Sequence, residues 1–173
     1  MTYFAYGSNM LTERLQARVS SACPISWAIL SDYGLRFHKK STDGSGKCVI
    51  IRNSGETVHG VLFEMDEADR GKLDKAEGLG HGYHHQTVEV QMPDGSAVSA
   101  SAYSASPSHI EPSLKPFDWY HEFVLAGALQ HSLPADYIER LQMIETQPDQ
   151  DLQRAARVEA LRVLGVASGG VAG

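Results

Sequence analysis

Residues 25–65 carry one short apolar run after another, rich in β-branched side chains and punctuated by turn-forming clusters. That texture predicts strands at 25–30, 35–38, 48–51 and 57–65, broken at Ser31-Asp32, Asp43-Gly44-Ser45-Gly46 and Asn53-Ser54-Gly55. Two more strands are expected at 86–92 and 98–104. They are joined by Pro93-Asp94-Gly95-Ser96, each member of which favours a hairpin loop. Thr2 to Tyr6 reads as another short strand stopping at Gly7-Ser8-Asn9. Strands gathered in the first two-thirds, with helices at the end, indicate α+β and not alternating α/β. Short and numerous strands favour a curled sheet or small barrel over a flat open one.

Helical spacing is expected at 10–18, with Asn9 as N-cap, although Thr12 stands where a capping box needs Glu. A second helix is expected from Asp66, its N-cap, through Asp69 in the first turn to a stop at Gly78. Residues 105–118 carry Pro107, Pro112 and Pro116 and read as an ordered loop or flap. Helices follow at 118–131 and 134–144; the latter has Pro134 near its first turn and Tyr137, Leu141 and Ile144 on one face. A third helical pattern covers 151–164, and 167–173 is a small-residue tail expected to fray. The organisation expected is one domain over 1–165 with a flexible tail over 166–173.

A chain of 173 residues is long enough for one self-sufficient core. A formal net charge of −6 removes the simplest electrostatic case for nucleic acid or an anionic membrane as partner. Cys23 and Cys48 have no CxxC partner and are expected to be reduced, partly buried thiols. The N-terminal run breaks at Gly7, too early for a signal peptide, and no stretch has the ~20 apolar residues of a membrane span. The expectation is a soluble, cytoplasmic protein.

Several tempting motifs fail on chemistry. Gly44-Ser45-Gly46-Lys47 looks like part of a phosphate loop, but Ser41 replaces its first glycine and Cys48 its magnesium-holding hydroxyl. The histidine-rich His81-Gly82-Tyr83-His84-His85 offers no i, i+4 pair on a helix and no carboxylate to complete a set, so no metal is expected. Ser8 in Tyr6-Gly7-Ser8-Asn9 is not a Gly-x-Ser-x-Gly nucleophile elbow. Two features remain. The strand–turn–helix from Tyr6 to Leu11 exposes backbone amides after a glycine and could hold an anion or nothing at all. Glu77 ends a helix just before Gly78, where the dipole disfavours a negative charge; it is either a functional carboxylate or a solvated helix end.

The block from Tyr3 to Arg14 (Tyr-Phe-Ala-Tyr-Gly-Ser-Asn-Met-Leu-Thr-Glu-Arg) is followed by Leu73-Asp74-Lys75-Ala76-Glu77-Gly78 and Tyr83. Ala102-Tyr103-Ser104, Gly127-Ala128 and the segment Leu133 to Ile138 continue the pattern. Together, over roughly residues 3–144, these resemble the γ-glutamylcyclotransferase family. The resemblance implies a small mixed or antiparallel β-barrel with flanking helices, often homodimeric, that uses no cofactor. It implies a reaction that releases 5-oxoproline and a free amine from a γ-glutamyl compound. It puts the catalytic carboxylate at Glu77, the substrate-holding loop at Tyr3, Phe4, Ala5, Tyr6, Gly7 and Ser8, and a pocket tyrosine at Tyr103. Glu77 would take a proton from the substrate ammonium and return it to the departing amine. The Gly7-Ser8 amides would bind the substrate carboxylate or a developing oxyanion, and Tyr103 would donate to Glu77 or to the substrate. Met10 replaces a frequent leucine, and the segments 81–85 and 105–118 follow no firm family pattern, which leaves the leaving group open. Alternatives are a γ-glutamylamine or protected small molecule as substrate, or a binding module without turnover.

Overall fold

The computed structural model describes residues 1–151 together with 153 and 154. The helix expected at 151–164 falls almost wholly outside these residues, as do the tail and the domain boundary at 165. Five strands close into a barrel: β1 (Thr2–Ala5), β2 (Cys23–Lys40), β3 (Gly46–Glu64), β4 (Tyr83–Gln91) and β5 (Ala97–Ala105). Their order around the barrel is β1-β3-β2-β4-β5. All neighbours are antiparallel except β1 and β5, which run parallel with Tyr3 opposite Ser101.

The four strands expected over 25–65 are two long ones. Ser31-Asp32 and Asn53-Ser54-Gly55 lie opposite each other: the ladder passes from Ser31↔Thr57 directly to Tyr33↔Arg52. Both signals therefore belong to one bulge, with Asp32 at φ 61° and Gly55 at φ 83°. The Gly55 N–H donates to Asp32 Oδ1 at 3.0 Å and closes it. A bulge bends and twists a ladder without ending it, as closure of a barrel requires. The other two breaks are true turns: 41–45 joins β2 to β3, and 92–96 joins β4 to β5, with Met92 N–H on the Ser96 carbonyl at 2.9 Å.

Helices α1 (Thr12–Gln16), α2 (Arg70–Glu77), α3 (Asp118–Gln130) and α4 (Ala135–Gln142) flank the barrel, with short 3-10 turns at Ser8–Met10, Glu67–Asp69 and Pro107–His109. The helix expected at 10–18 is thus split into a 3-10 turn and a single short helix. Asn9 does not cap it; Leu11 precedes α1 with no side-chain cap. Asp66 likewise caps nothing with its side chain, because the 3-10 turn intervenes before α2. Phe4, Leu62, Phe63 and Leu73 are fully buried in one core, which Met10, Leu15 and Val124 extend beneath α1 and α3. Cys48 is buried and Cys23 is exposed, and neither is in a disulfide. Among the described residues, no helix is long and apolar enough to cross a membrane.

Candidate active site

Two chain reversals build the site. The first is where β1 runs out: Tyr6 and Gly7 lead into the Ser8–Met10 turn, closed by the Met10 N–H on the Gly7 carbonyl at 2.9 Å. Gly127 of α3 lets the turn sit close, since a Cβ there would stand 2.5 Å from the Leu11 nitrogen. The second is the end of α2. Gly78 takes a left-handed conformation at φ 69°, with its N–H on the Lys75 carbonyl and that of Leu79 on the Asp74 carbonyl, a Schellman close. Glu77 is therefore the last helical residue, and its carboxylate meets the Ser8–Met10 turn.

The carboxylate is held on one side. Glu77 Oε1 accepts from Asn9 Nδ2 at 2.8 Å and from Arg18 Nη1 at 2.7 Å. Arg18 also donates to Asn9 Oδ1 at 2.9 Å, and Asn9 Nδ2 reaches the Tyr3 hydroxyl at 3.1 Å. No described residue hydrogen-bonds Oε2. Asn9 is buried, and an amide between a carboxylate and a guanidinium makes charge-assisted bonds stronger than a neutral helix cap, which explains why it does not cap α1.

Glu77 lies in an open cleft. With Glu77, the cleft is lined by Tyr3, Tyr6, Gly7, Ser8 and Asn9 and by Cys48, Tyr83, Tyr103 and Tyr120. Of the residues expected to hold substrate, Phe4 and Ala5 do not line it; both are fully buried in the core and support the strand that carries Tyr3 and Tyr6. Tyr103 lines the cleft but donates to Asp74 Oδ1 at 2.5 Å, not to Glu77. Asp74 lies one helical turn before Glu77 on the same face, so it meets Tyr103 first, and His85 Nε2 joins it at 2.6 Å. Tyr6 donates to the Tyr103 carbonyl, Tyr83 to the Cys48 carbonyl at 2.8 Å, and the Cys48 N–H donates to the Tyr120 hydroxyl at 3.1 Å.

Burial, reinforced by the charge of Glu77, pushes the Tyr3 phenol far above its ordinary range. Burial and then the Asp74 carboxylate do the same to Tyr103, and burial raises Tyr6, Tyr83 and Tyr120. The Cys48 thiol is pushed up to about 12 by burial. The wall therefore presents protonated phenols and a protonated thiol, with one carboxylate among them. Arg18, Asn9, Asp74, Tyr83 and Tyr120 were not expected as site residues.

The barrel with its flanking helices superposes on a solved structure described as a gamma-glutamyl cyclotransferase, with TM-score 0.80 and 28% identity, covering 91% of this chain and 98% of that one. Residues 57–141 match the model of the AIG2-like family. The chain is 34% identical over 149 residues to gamma-glutamylcyclotransferase of Bos taurus and 33% identical over 149 residues to that of Homo sapiens, covering 83% of this chain and 78% of each relative. The chain belongs to the γ-glutamylcyclotransferase family, the one that its sequence blocks resemble.

Proposed function

We propose that this protein cyclises γ-glutamyl amino acids, releasing 5-oxoproline and a free amino acid, with Glu77 carrying the protons. The observation that supports it best is the cleft wall: phenols and a thiol that stay protonated surround one carboxylate, whose Oε1 is anchored by Asn9 and Arg18 and whose Oε2 is unengaged. An anchored carboxylate with one free oxygen suits a proton carrier, because the accepting atom is fixed before the substrate arrives.

The substrate supplies its own nucleophile. Its α-ammonium gives a proton to Glu77, and the freed amine attacks the γ-carbonyl carbon, forming the ring C–N bond. The tetrahedral centre then collapses with loss of the original amide C–N bond. The ring nitrogen gives up two protons in all, and both end on the departing amine by way of Glu77. Holding the glutamyl chain curled is the main task, since well-oriented intramolecular attack can be worth about 7–11 kcal/mol. The tyrosine-lined cleft supplies that shape, and the Gly7-Ser8 turn offers backbone amides to the substrate carboxylate or to the carbonyl oxygen as it gains charge. A homodimer and a place in glutathione turnover accompany this reading through the family resemblance, and a cytoplasmic location through the sequence expectation.

Purified protein mixed with γ-glutamyl-alanine, γ-glutamyl-ε-lysine and glutathione is expected to yield 5-oxoproline from at least the first. No 5-oxoproline from any of the three would favour a binding module that keeps the cleft but turns nothing over.

A further inference from the structure

Tyr83 lines the cleft from the segment 81–85, which packs against the start of the segment 105–118, and neither segment follows a firm family pattern. The Ser106 N–H donates to the Gly82 carbonyl at 2.9 Å, and the His109 ring lies against Gly82, where a Cβ would meet it at 2.7 Å. The loop after β5 is tied to β2 by a bridge between Ile110 and Lys39, and by the Glu111 N–H on the His38 carbonyl at 2.8 Å. Lys39 stands at this junction with its Nζ 4.6 Å from the centre of the Tyr83 ring, one of the walls of the cleft.

Of the other cations near the cleft, Arg18 is bound to Glu77 and Lys47 is paired with Asp43 at 2.8 Å. Arg14 makes no ion pair among the described residues, but its guanidinium lies 4.6 Å over the ring of Phe123, which does not line the cleft. Lys39 makes no ion pair among the described residues. Its side chain is half-buried, and burial lowers its pKa while the charges of Glu77 and Asp43 act against that, so the Glu77 carboxylate is within electrostatic reach. A half-buried ammonium against the ring of a cleft-lining tyrosine, with no carboxylate of its own, is matched to an anionic group on the ligand.

We propose that Lys39 is a specificity-determining residue that receives the α-carboxylate of the departing amino acid. This rests on the cyclotransferase reading. Once Glu77 and the Gly7-Ser8 turn engage the glutamyl half, the carboxylate next to the scissile nitrogen is the negative charge left without a partner.

The test uses γ-glutamyl-alanine and γ-glutamyl-ethylamide, which differ only in that carboxylate, with 5-oxoproline release as readout. The wild-type protein is expected to prefer the alanine compound. Lys39→Gln is expected to lower this preference about tenfold, acting mainly through KM of the alanine compound, because the ion pair is half-exposed and binds ground and transition states alike. Lys39→Arg, which keeps the charge, is expected to restore most of it. If both substrates turn over and Lys39→Gln changes their kcat/KM equally, the Lys39 proposal is overturned and the cyclotransferase reading stands. If neither substrate yields 5-oxoproline, both fall together.

Discussion

Replacing Arg18 with methionine removes a guanidinium and leaves the Glu77 carboxylate with Asn9 alone. The Arg18 Nη1–Glu77 Oε1 contact is 2.7 Å, with the two side chains 24% and 16% exposed. Breaking a fully buried pair costs roughly 3–5 kcal/mol, and an exposed pair contributes about 0–1 kcal/mol. Exposure of this degree puts Arg18→Met between these, at about 2 kcal/mol. In a Glu77→Gln background the charge is gone, and Arg18→Met loses only guanidinium bonds to two neutral amide oxygens, one of them the 2.9 Å bond to Asn9, for about 0.5–1 kcal/mol in all at this exposure. Urea unfolding of the wild type, the two single variants and the double variant at pH 7 is therefore expected to return a coupling of about 1–1.5 kcal/mol. Because the pair is mostly shielded, most of that coupling should persist in high salt. Equal costs of Arg18→Met in both backgrounds would show that the contact contributes nothing specific to Glu77 and would refute the reasoning.

Gly127→Ala puts a Cβ 2.5 Å from the Leu11 nitrogen and 2.6 Å from the Met10 carbonyl carbon, both rigid backbone atoms. The expected cost is about 2 kcal/mol, seen as a Tm drop of about 4–8 °C by circular dichroism, with lower kcat/KM because the turn carrying Asn9 must move. For Asp43, burial alone raises the pKa, but bonds from Lys47 and Ser45 outweigh it and hold the carboxyl at about 2 against the ordinary 3.8. Its pairing therefore stabilises the fold above the unfolded pKa, and that contribution is lost as pH falls from about 4 to about 2. Wild type is expected to exceed Asp43→Asn by about 2 kcal/mol at pH 7, with the gap narrowing by about 1 kcal/mol between pH 5 and pH 3.

The strands and most of their turns were legible because alternation and turn chemistry are local. The 92–96 loop and the stop of α2 at Gly78 are where residue type alone places them. What local reading could not tell is whether a turn signal ends a strand or bends it: Ser31-Asp32 and Asn53-Ser54-Gly55 become one bulge only once β2 and β3 are paired. Glu77's place at a helix end left a functional carboxylate and a solvated residue both open, and only its family block singled it out; the fold puts it in the cleft. Its partners were harder. Asn9 has the chemistry of a cap, and only the arrival of Glu77 from 68 residues away gives its amide a better acceptor. Arg18 is 59 residues from Glu77, and Tyr103 is drawn to Asp74 by a contact spanning 29 residues. Those pairings come from barrel closure, which no single segment encodes.

Among all these measurements, one bears most directly on the proposal that Glu77 moves protons between the two nitrogens. It is the rate of 5-oxoproline release from γ-glutamyl-alanine by Glu77→Gln, an isosteric change that keeps an oxygen for Asn9 and Arg18 but cannot take up a proton at neutral pH. With circular dichroism unchanged, kcat is expected to fall about a thousandfold. Turnover at the wild-type rate in a correctly folded Glu77→Gln protein would contradict the account.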